Sequence, residues 1–355
     1  SATREFNPLL ASYGPALVDR AVLDALCRAL GVSFYDAVRA NLPGLGGRRP
    51  EFAGHDWPTF LASLTPAAHI AARHTVGLVD AITATDLQHP VNDGLPETLE
   101  QVVLHYGHHH FKLKVGGRIH DDLARLTAIA AVLDRSAGDY VASLDGNEQY
   151  ADAEGVAELL ARMQAAPALA KLNRSILFIE QPIARKTALD VDVRALAAIK
   201  PVIVDESDGE LDAFVRARAM GYTGISSKTC KGFYKSLLNA ARCAAWNAED
   251  PGPGYFMSAE DLTTQAGLSV QQDLALVNLL GIGHVERNGH HYVDGMAALP
   301  EEEQQRFLAA HPDLYEHTHG AVRLHIRNGR IHLGSLACPG FASAAMRDWD
   351  TMPAF

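Results

Sequence analysis

Lys112 and Lys114 lie in a short alternating run, residues 111–115, that ends at two glycines. Because residues i and i+2 of a strand point the same way, the two ammonium groups would project together. Each would then raise the energetic cost of the other's charge and lower its pKa. A lysine with a lowered pKa can act as a base near neutral pH. The alternative is a solvated strand edge, where lysines are common.

Three later apolar runs each end in a carboxylate, namely Asp145, Glu180 and Asp205. Any one of them could instead cap a following helix. If the runs are neighbouring parallel strands, their carboxyl ends meet at one edge, and the crowded negative charge requires a cation. Ligands that are all oxygen favour a hard divalent ion, so we expect Mg²⁺, with Mn²⁺ as a second candidate.

A further lysine, Lys228, ends the sixth predicted strand and would lie at the same edge. Carboxylates that hold a metal would then have a lysine on either side. Two bases placed in this way could remove or return a proton at an α-carbon.

Short apolar runs alternate with amphipathic stretches of helical length from about residue 76, a pattern typical of repeated βα units. The predicted strands are residues 76–83, 109–115, 141–145, 176–180, 201–205, 223–228, 254–258 and 282–286. Helices are predicted between them, for example over residues 120–133, 153–163, 211–220 and 233–246. We therefore predict an α/β protein with a (β/α)8-type TIM barrel, whose catalytic residues lie at the carboxyl ends of the strands.

The predicted barrel, residues 76–298, is flanked by two segments that we assign to a capping domain with an α+β fold. Residues 1–75 form its helical part, with a helix over residues 15–30 that ends at Gly31. Residues 299–355 return to it and contain an Asn328-Gly329 pair between alternating residues, a strong hairpin signal.

The composition describes a globular protein that does not bind nucleic acid. Of 355 residues, 48% are hydrophobic and 21% charged, and the net charge of -11 comes without a basic cluster. No apolar run reaches the roughly 18 residues that span a membrane, and no signal segment opens the chain. We therefore expect a cytoplasmic protein without a membrane partner. The four cysteines form no CxxC pair and are expected to be reduced thiols.

The motifs resemble the enolase superfamily and, within it, the muconate lactonizing enzymes. The resemblance rests on KxK at Lys112, DxN at Asp145, EQP at Glu180, DES at Asp205 and the sixth-strand Lys228. Each motif alone is weak, but their order and spacing are highly specific. The resemblance covers most of the chain, from the helix at Pro15 to about Phe341.

The resemblance implies a role for each motif residue. Asp145, Glu180 and Asp205 match the Mg²⁺ ligands, Lys114 and Lys228 the acid/base pair, and Lys112 the residue that tunes Lys114. Asn147, Glu286 and Glu260 are candidates for substrate binding, the last two from the ends of the eighth and seventh strands. A surface carboxylate is the alternative for Glu286, and Glu260 and Asp261 would also suit a helix N-terminus.

The resemblance implies Mg²⁺-dependent abstraction of the proton α to a carboxylate, through an enediolate intermediate. Racemisation, epimerisation, cycloisomerisation and syn-dehydration of a small carboxylic acid all follow from that intermediate, and the sequence does not choose among them. The alternative is a non-catalytic barrel that binds a carboxylate ligand or a protein partner. We also expect a homo-oligomer.

Relatives in this superfamily begin with an antiparallel sheet whose loops close over the barrel mouth. No pair of strands with a turn is predicted between Ser1 and His74, so we expect a capping domain that is incomplete at its N-terminal side. The hairpin at Asn328 would then have an uncovered apolar face. We expect the missing strands to belong to a longer gene product or to come from another chain.

Overall fold

The protein contains a curled parallel sheet whose outer side is covered by helices. The computed structural model describes residues 7–46, 50–252, 254–260, 266–288, 291 and 293–351. The parallel strands are β1 His69–Val76, β2 His110–Lys114, β3 Val141–Asp145, β4 Ile176–Glu180, β5 Val202–Val204, β6 Gly224–Ser227, β7 Phe256–Ala259 and β8 His284–Glu286.

Helices precede the sheet, alternate with its strands and follow it. They are α1 Pro8–Leu30, α2 Phe34–Arg39, α3 Trp57–Ser63, α4 Leu99–Tyr106, α5 Ile119–Ser136, α6 Ala153–Ala165, α7 Ala170–Ser175, α8 Arg194–Ala197, α9 Ala213–Ala219, α10 Phe233–Glu249, α11 Leu268–Leu279 and α12 Glu301–Ala310. None of the described helices is both long enough and apolar enough to cross a membrane.

The strands follow the order of the chain around the sheet from β1 to β7, and β8 pairs in parallel with β1. β7 lies next to β8, with no strand pairing between them in the described ranges. The register places Lys114 beside Asp145 and Asp145 beside Glu180, so the functional candidates reach one edge together. This α/β architecture agrees with the predicted barrel.

The two sides of each strand have different environments, because successive side chains alternate across the sheet. On β2, Phe111 and Leu113 point outward and are buried against the helices. Lys112 points inward, where it meets carboxylates from other strands. The apolar core therefore lies between the sheet and its helices, while the inside of the sheet is polar.

The predicted first strand, residues 76–83, is wrong, because β1 ends at Val76. The prediction followed the apolar run after Val76, but β1 carries Arg73 and Thr75 among its small and apolar residues. Both side chains enter the polar interior of the sheet, where they bond to Ser258 and Glu286. β1 therefore lacks the run of apolar residues that is typical of a core strand.

The first helix, α1, packs over the edge of the sheet at which β6 ends. α1 begins at Pro8, seven residues before the predicted start, because Asn7 caps it by accepting a hydrogen bond from Leu9 N. Its Ser12 Oγ donates to Cys230 O, and Arg20 Nη1 lies 3.3 Å from Gln272 Oε1. Residues 7–46 and 50–68 contain helices and no strand.

The C-terminal segment contacts both the N-terminal helices and β1. The rings of Phe34 and Phe341 stack with centroids 4.0 Å apart, and Arg28 Nη2 donates to Ser343 O. A separate two-stranded antiparallel sheet is formed by β9 Tyr315–Thr318 and β10 Ala321–Leu324.

The predicted hairpin at Asn328 is correct for the turn and wrong for the strand that follows. Asn328 and Gly329 both adopt positive φ, with hydrogen bonds between Arg327 and Arg330 on either side. Beyond the Arg327–Arg330 bridge, the following strand, β11 Arg330–His332, pairs with β1. Its Ile331 is fully buried, so the expected uncovered apolar face does not occur.

Candidate active site

Lys112 is the centre of a cluster of buried charges inside the sheet. Its Nζ lies 3.1 Å from Asp145 Oδ2 and 3.1 Å from Glu180 Oε2. It also lies 3.2 Å from Glu260 Oε1 and 3.3 Å from Glu286 Oε2. Side chains from the ends of β2, β3, β4, β7 and β8 therefore meet around one ammonium group.

The expectation that the two lysines of KxK lower each other's pKa is wrong for Lys112. Burial acts to lower the pKa of Lys112, but attraction to Asp145, Glu180 and Glu286 outweighs it and holds this pKa well above its ordinary value. Lys112 therefore remains charged in this arrangement, where it acts as a counter-ion to the carboxylates.

Three carboxylates lie close enough together to hold one ion. Oxygen atoms of Glu180, Asp205 and Glu260 lie within 4.8 Å of one another, and all three side chains are buried. Glu180 Oε1 has no hydrogen-bond partner in the described ranges. Burial, opposed by Lys112, raises the pKa of Glu180, with Asp145 and Asp205 adding to the rise. The nearby lysines therefore do not fully compensate the negative charge around Glu180.

This group shares Glu180 and Asp205 with the predicted ligand set and differs in its third member. Asp145 is also buried, but its Oδ2 faces Lys112 at 3.1 Å and Lys114 at 3.6 Å. Its Oδ1 accepts a hydrogen bond from the backbone of Asn147. Glu260, predicted to bind substrate, joins the acidic group instead.

Lys228 and Lys231 contact Asp205 from the end of β6. Lys228 Nζ is 2.8 Å from Asp205 Oδ2 and 2.6 Å from Glu260 Oε2. Burial acts against ionisation of Asp205, but the two lysines outweigh it and hold the pKa of Asp205 well below its ordinary value. Burial likewise opposes the charge on Lys228, yet Asp205 raises the pKa of that lysine overall.

Lys114 has a different set of neighbours from Lys112 and Lys228. It is partly exposed, and its Nζ donates to the side-chain oxygen of Asn147 at 3.3 Å. Asn147 Nδ2 in turn donates to Glu206 Oε1 at 2.9 Å. Burial and repulsion from Asp205 and Asp145 raise the pKa of Glu206 to about 7. Asn147, which was predicted to bind substrate and follows β3, therefore links Lys114 to the carboxyl group of Glu206, which follows β5.

Glu286, the third predicted substrate-binding residue, is held by the protein itself. It accepts a short hydrogen bond from Thr75 Oγ1 and contacts Lys112. Burial would raise the pKa of Glu286, but Lys112 and the Thr75 hydrogen bond lower it to about 2. The surface alternative is excluded, because Glu286 is buried. Asp261 lies outside the described residues.

The matched family model settles the family of this chain. The model described as enolase C-terminal domain-like matches residues 94–344, which include every candidate site residue named above except Thr75. The chain belongs to this enolase family. The membership of the enolase superfamily that the motifs indicated is confirmed.

Solved structures agree with the fold of this enolase-family chain. The muconate lactonizing enzyme from Mucobacterium Smegmatis is similar with a TM-score of 0.58 and 21% identity, over 96% of this chain and 74% of that one. The muconate lactonizing enzyme from Pseudomonas putida gives 0.56 and 17%, over 95% and 73%. The muconate cycloisomerase from Pseudomonas fluorescens gives 0.57 and 18%, over 96% and 74%. No curated protein matches the chain in sequence.

Two positioning residues of the enolase-family site were not identified from the sequence. Gln181 is fully buried, and its Oε1 accepts from the backbone N of both Asp205 and Ser207. Lys231 Nζ donates to Asp205 Oδ1 at 2.7 Å and to Ser226 O at 2.8 Å. Both fix Asp205 in place. The signals for them were the Gln of EQP and the second lysine of the run Lys228-Thr-Cys-Lys231.

The backbone beside the site adopts conformations that non-glycine residues rarely take. Asn147, Glu148 and Gln181 all have positive φ, at 42°, 67° and 32°. Such residues cost energy and persist where the surroundings hold them. Here Arg185 forms two side-chain hydrogen bonds with Glu148, of 2.9 and 2.5 Å. This contact between Arg185 and Glu148 joins the residues after β4 to those after β3.

Proposed function

We propose that this chain catalyses divalent-metal-dependent removal of the proton α to the carboxylate of a small acid. The supporting observation is that Glu180, Asp205 and Glu260 converge in a buried site together with Lys112 and Lys228. Buried charges interact more strongly than charges in water. A site of this kind is suited to stabilising the negative charge that develops on an enediolate.

The donor set fits a hard divalent ion such as Mg²⁺ or Mn²⁺. The grouped ligand atoms are all carboxylate oxygens, and the buried Glu180 Oε1 has no hydrogen-bond partner in the part of the chain that the structure describes. We assign Glu180 and Asp205 as ligands, since they belong both to the motif-derived set and to the geometric group. When bound, the ion would supply Lewis-acid stabilisation of a carboxylate oxygen.

The lysines divide the proton chemistry between them. Lys114 and Lys228 contact different carboxylates, Asp145 and Asp205, so each approaches the cluster from its own strand. We propose that they exchange protons with opposite faces of the α-carbon. Lys112, which contacts four carboxylates and stays charged, would neutralise the cluster. Racemisation, epimerisation, cycloisomerisation or dehydration would then depend on the substrate.

The test is exchange of α-protons in deuterated water. The protein with Mg²⁺ is incubated with a set of small carboxylic acids, each with one α-hydrogen, and the loss of the α-proton signal is followed by NMR. We expect Mg²⁺-dependent exchange with at least one acid, abolished in the Lys114→Met/Lys228→Met double variant. Metal binding without exchange in any acid would favour the non-catalytic carboxylate-binding barrel and overturn this proposal.

The third ligand can be assigned with two matched variants, Asp145→Asn and Glu260→Gln. Each replaces one carboxylate by an amide of the same shape. We expect calorimetric Mg²⁺ affinity to fall most for the variant that removes a ligand. A larger loss in Asp145→Asn supports the motif-derived set, and a larger loss in Glu260→Gln supports the geometric group.

A further inference from the structure

We propose that Glu206 is a positioning residue that orients Lys114 through the side chain of Asn147. The inference rests on the proposed function, because it concerns the lysine assigned to one face of the α-carbon. Glu206 contacts Asn147, and Asn147 contacts Lys114, so the three side chains form a hydrogen-bonded row. Glu206 follows β5, whereas Lys114 ends β2.

The hydrogen-bond acceptor at one end of this row and the donor at the other determine which way the Asn147 amide points. Its Nδ2 donates to Glu206 Oε1 at 2.9 Å, and its Oδ1 accepts from Lys114 Nζ at 3.3 Å. The reversed amide would set an acceptor against the carboxyl oxygen and two N–H donors against an ammonium. Removing the Glu206 acceptor therefore removes one of the two contacts that hold the amide oxygen toward Lys114.

The backbone of Asn147 is fixed independently of Glu206. Its N–H donates to Asp145 Oδ1 at 2.8 Å. The next residue, Glu148, donates its N–H to Gln181 O and is held by Arg185. Because the backbone is anchored on both sides, loss of the Glu206 contact should free the Asn147 side chain and leave the loop in place.

Lys114 depends more on this contact than Lys228 would. Lys228 lies against two carboxylates, at 2.8 and 2.6 Å. Lys114 has the neutral Asn147 oxygen at 3.3 Å and Asp145 Oδ2 at 3.6 Å, and its side chain is 29% exposed. A long, partly exposed lysine with one close partner loses much of its order when that partner turns away. Glu206 should therefore affect one face of the site selectively.

The first experiment measures lysine mobility by NMR in protein with ¹³Cε-labelled lysine, without any substrate. The Lys114 and Lys228 signals are assigned by their loss in Lys114→Arg and Lys228→Arg. In Glu206→Met we expect Lys114 to become about as mobile as the exposed Lys186, with Lys228 unchanged. Glu206→Gln, whose amide oxygen still accepts from Asn147, should restore the wild-type signal. Glu210→Met, at an exposed glutamate of the same segment, is the control.

The outcomes separate positioning from a charge effect. If Glu206→Gln mobilises Lys114 as much as Glu206→Met does, the carboxylate charge acts instead of the hydrogen bond, and the proposal is overturned. It is also overturned if neither variant changes Lys114. In an Asn147→Ala background, Glu206→Met should have no further effect on Lys114, because the connecting residue is gone. An additive effect there would contradict action through Asn147.

The second experiment uses the acid that exchanges in deuterated water. The face served by Lys114 is identified as the enantiomer whose exchange is lost in Lys114→Met. Glu206→Met should slow exchange at that face by about tenfold to 10²-fold, the upper value being what a 1 Å misplacement can cost, while the other face stays within about twofold. Equal slowing of both faces would overturn the proposal. Because lysine mobility is measured without an acid, a failure of the proposed reaction remains distinguishable from a failure of this inference.

Discussion

The interior of the sheet contains two layers that lie two residues apart along the same strands. The base layer consists of Arg73, His110, Phe178, Ser258 and His284, and the mouth layer of Thr75, Lys112, Glu180, Glu260 and Glu286. The base layer has one cation among neutral groups, whereas the mouth layer gathers carboxylates around one lysine.

The base layer surrounds its one cation, Arg73, mostly with neutral acceptors, although Arg73 Nε has no hydrogen-bond partner among the described residues. Arg73 donates to Ser258 Oγ at 3.0 Å, to Ala259 O at 2.7 Å and to His284 Nδ1 at 2.9 Å. Burial, with Arg73 adding to it, lowers the pKa of His284 to about 2, so this histidine is a neutral acceptor. In the mouth layer Glu180 Oε1 is left without a partner among the described residues. The comparison shows that the same strands place neutral groups around one cation at one level and gather carboxylates around one lysine at the next.

The largest expected effect is on turnover, and it separates the base layer from Lys114 and Lys228 at the strand ends. Lys228→Met and Lys114→Met should each lower turnover by about 10²- to 10⁴-fold, the usual contribution of one acid/base group. The base-layer variant His110→Gln should leave turnover per folded protein within a few-fold. Initial rates with the exchanging acid measure this. Similar losses in all three variants would remove the functional distinction between the base layer and the two lysines.

Metal binding should stabilise the protein through carboxylates of the mouth layer and the neighbouring Asp205, and not through the base layer. At a hundredfold excess over its Kd, Mg²⁺ should raise the free energy of unfolding by about 2.7 kcal/mol. Removal of Mg²⁺ with a chelator should reverse the gain, and Asp205→Asn should lose it. Denaturant unfolding with and without Mg²⁺ measures the difference, with His110→Gln as the control that keeps it. A full gain in Asp205→Asn would contradict the ligand assignment.

The base layer should instead determine part of the acid sensitivity. Burial, with Arg73 adding to it, lowers the pKa of His110 to about 4, against about 6.5 in an unfolded chain. Below pH 6.5 the unfolded chain binds a proton that folded His110 does not, so stability falls as the pH falls toward 4. This one group contributes about 1.4 kcal/mol per pH unit in that window.

Metal-free unfolding between pH 4 and 7 checks this expectation. His110→Gln should reduce the pH slope by about one proton. His120→Gln, at a histidine whose side chain is 97% exposed, should leave the slope unchanged. An unchanged slope in His110→Gln would contradict the lowered pKa of His110 in the folded protein.

The smallest expected effect concerns the loops beside the mouth layer. Arg185 and Glu148 form a partly exposed ion pair, and hydrogen bonding from Arg185 lowers the pKa of Glu148. Arg185→Met should lower the free energy of unfolding by about 1 kcal/mol, the upper range for such pairs. Denaturant unfolding measures it. A loss of about 2 to 5 kcal/mol, as in a core substitution, would show that the ion pair is needed to hold the positive-φ backbone of Glu148.

Much of the sheet was predictable because the outward-facing residues of its strands are apolar, a pattern that is visible over a few neighbouring residues. The strands β2 to β8 were predicted within two residues of their observed bounds, since their outward side chains are apolar and pack against helices. The first strand was misplaced because Arg73 and Thr75 face a polar interior. An apolar run therefore predicts a strand whose outward side chains pack against helices. It misses a strand such as β1, whose inward side chains are polar.

The sequence by itself determined the parts of this protein that depend on order along the chain. The spacing of KxK, DxN, EQP and DES put Lys112, Asp145, Glu180 and Asp205 at the ends of successive strands, because parallel strands align their carboxyl ends. The tertiary structure alone decided which of these groups touch. Lys112 meets Glu286, 174 residues away, and Asn147 joins Lys114 to Glu206 across strands. Curling the sheet brings distant strands together, and contacts between them leave no periodic trace in the sequence.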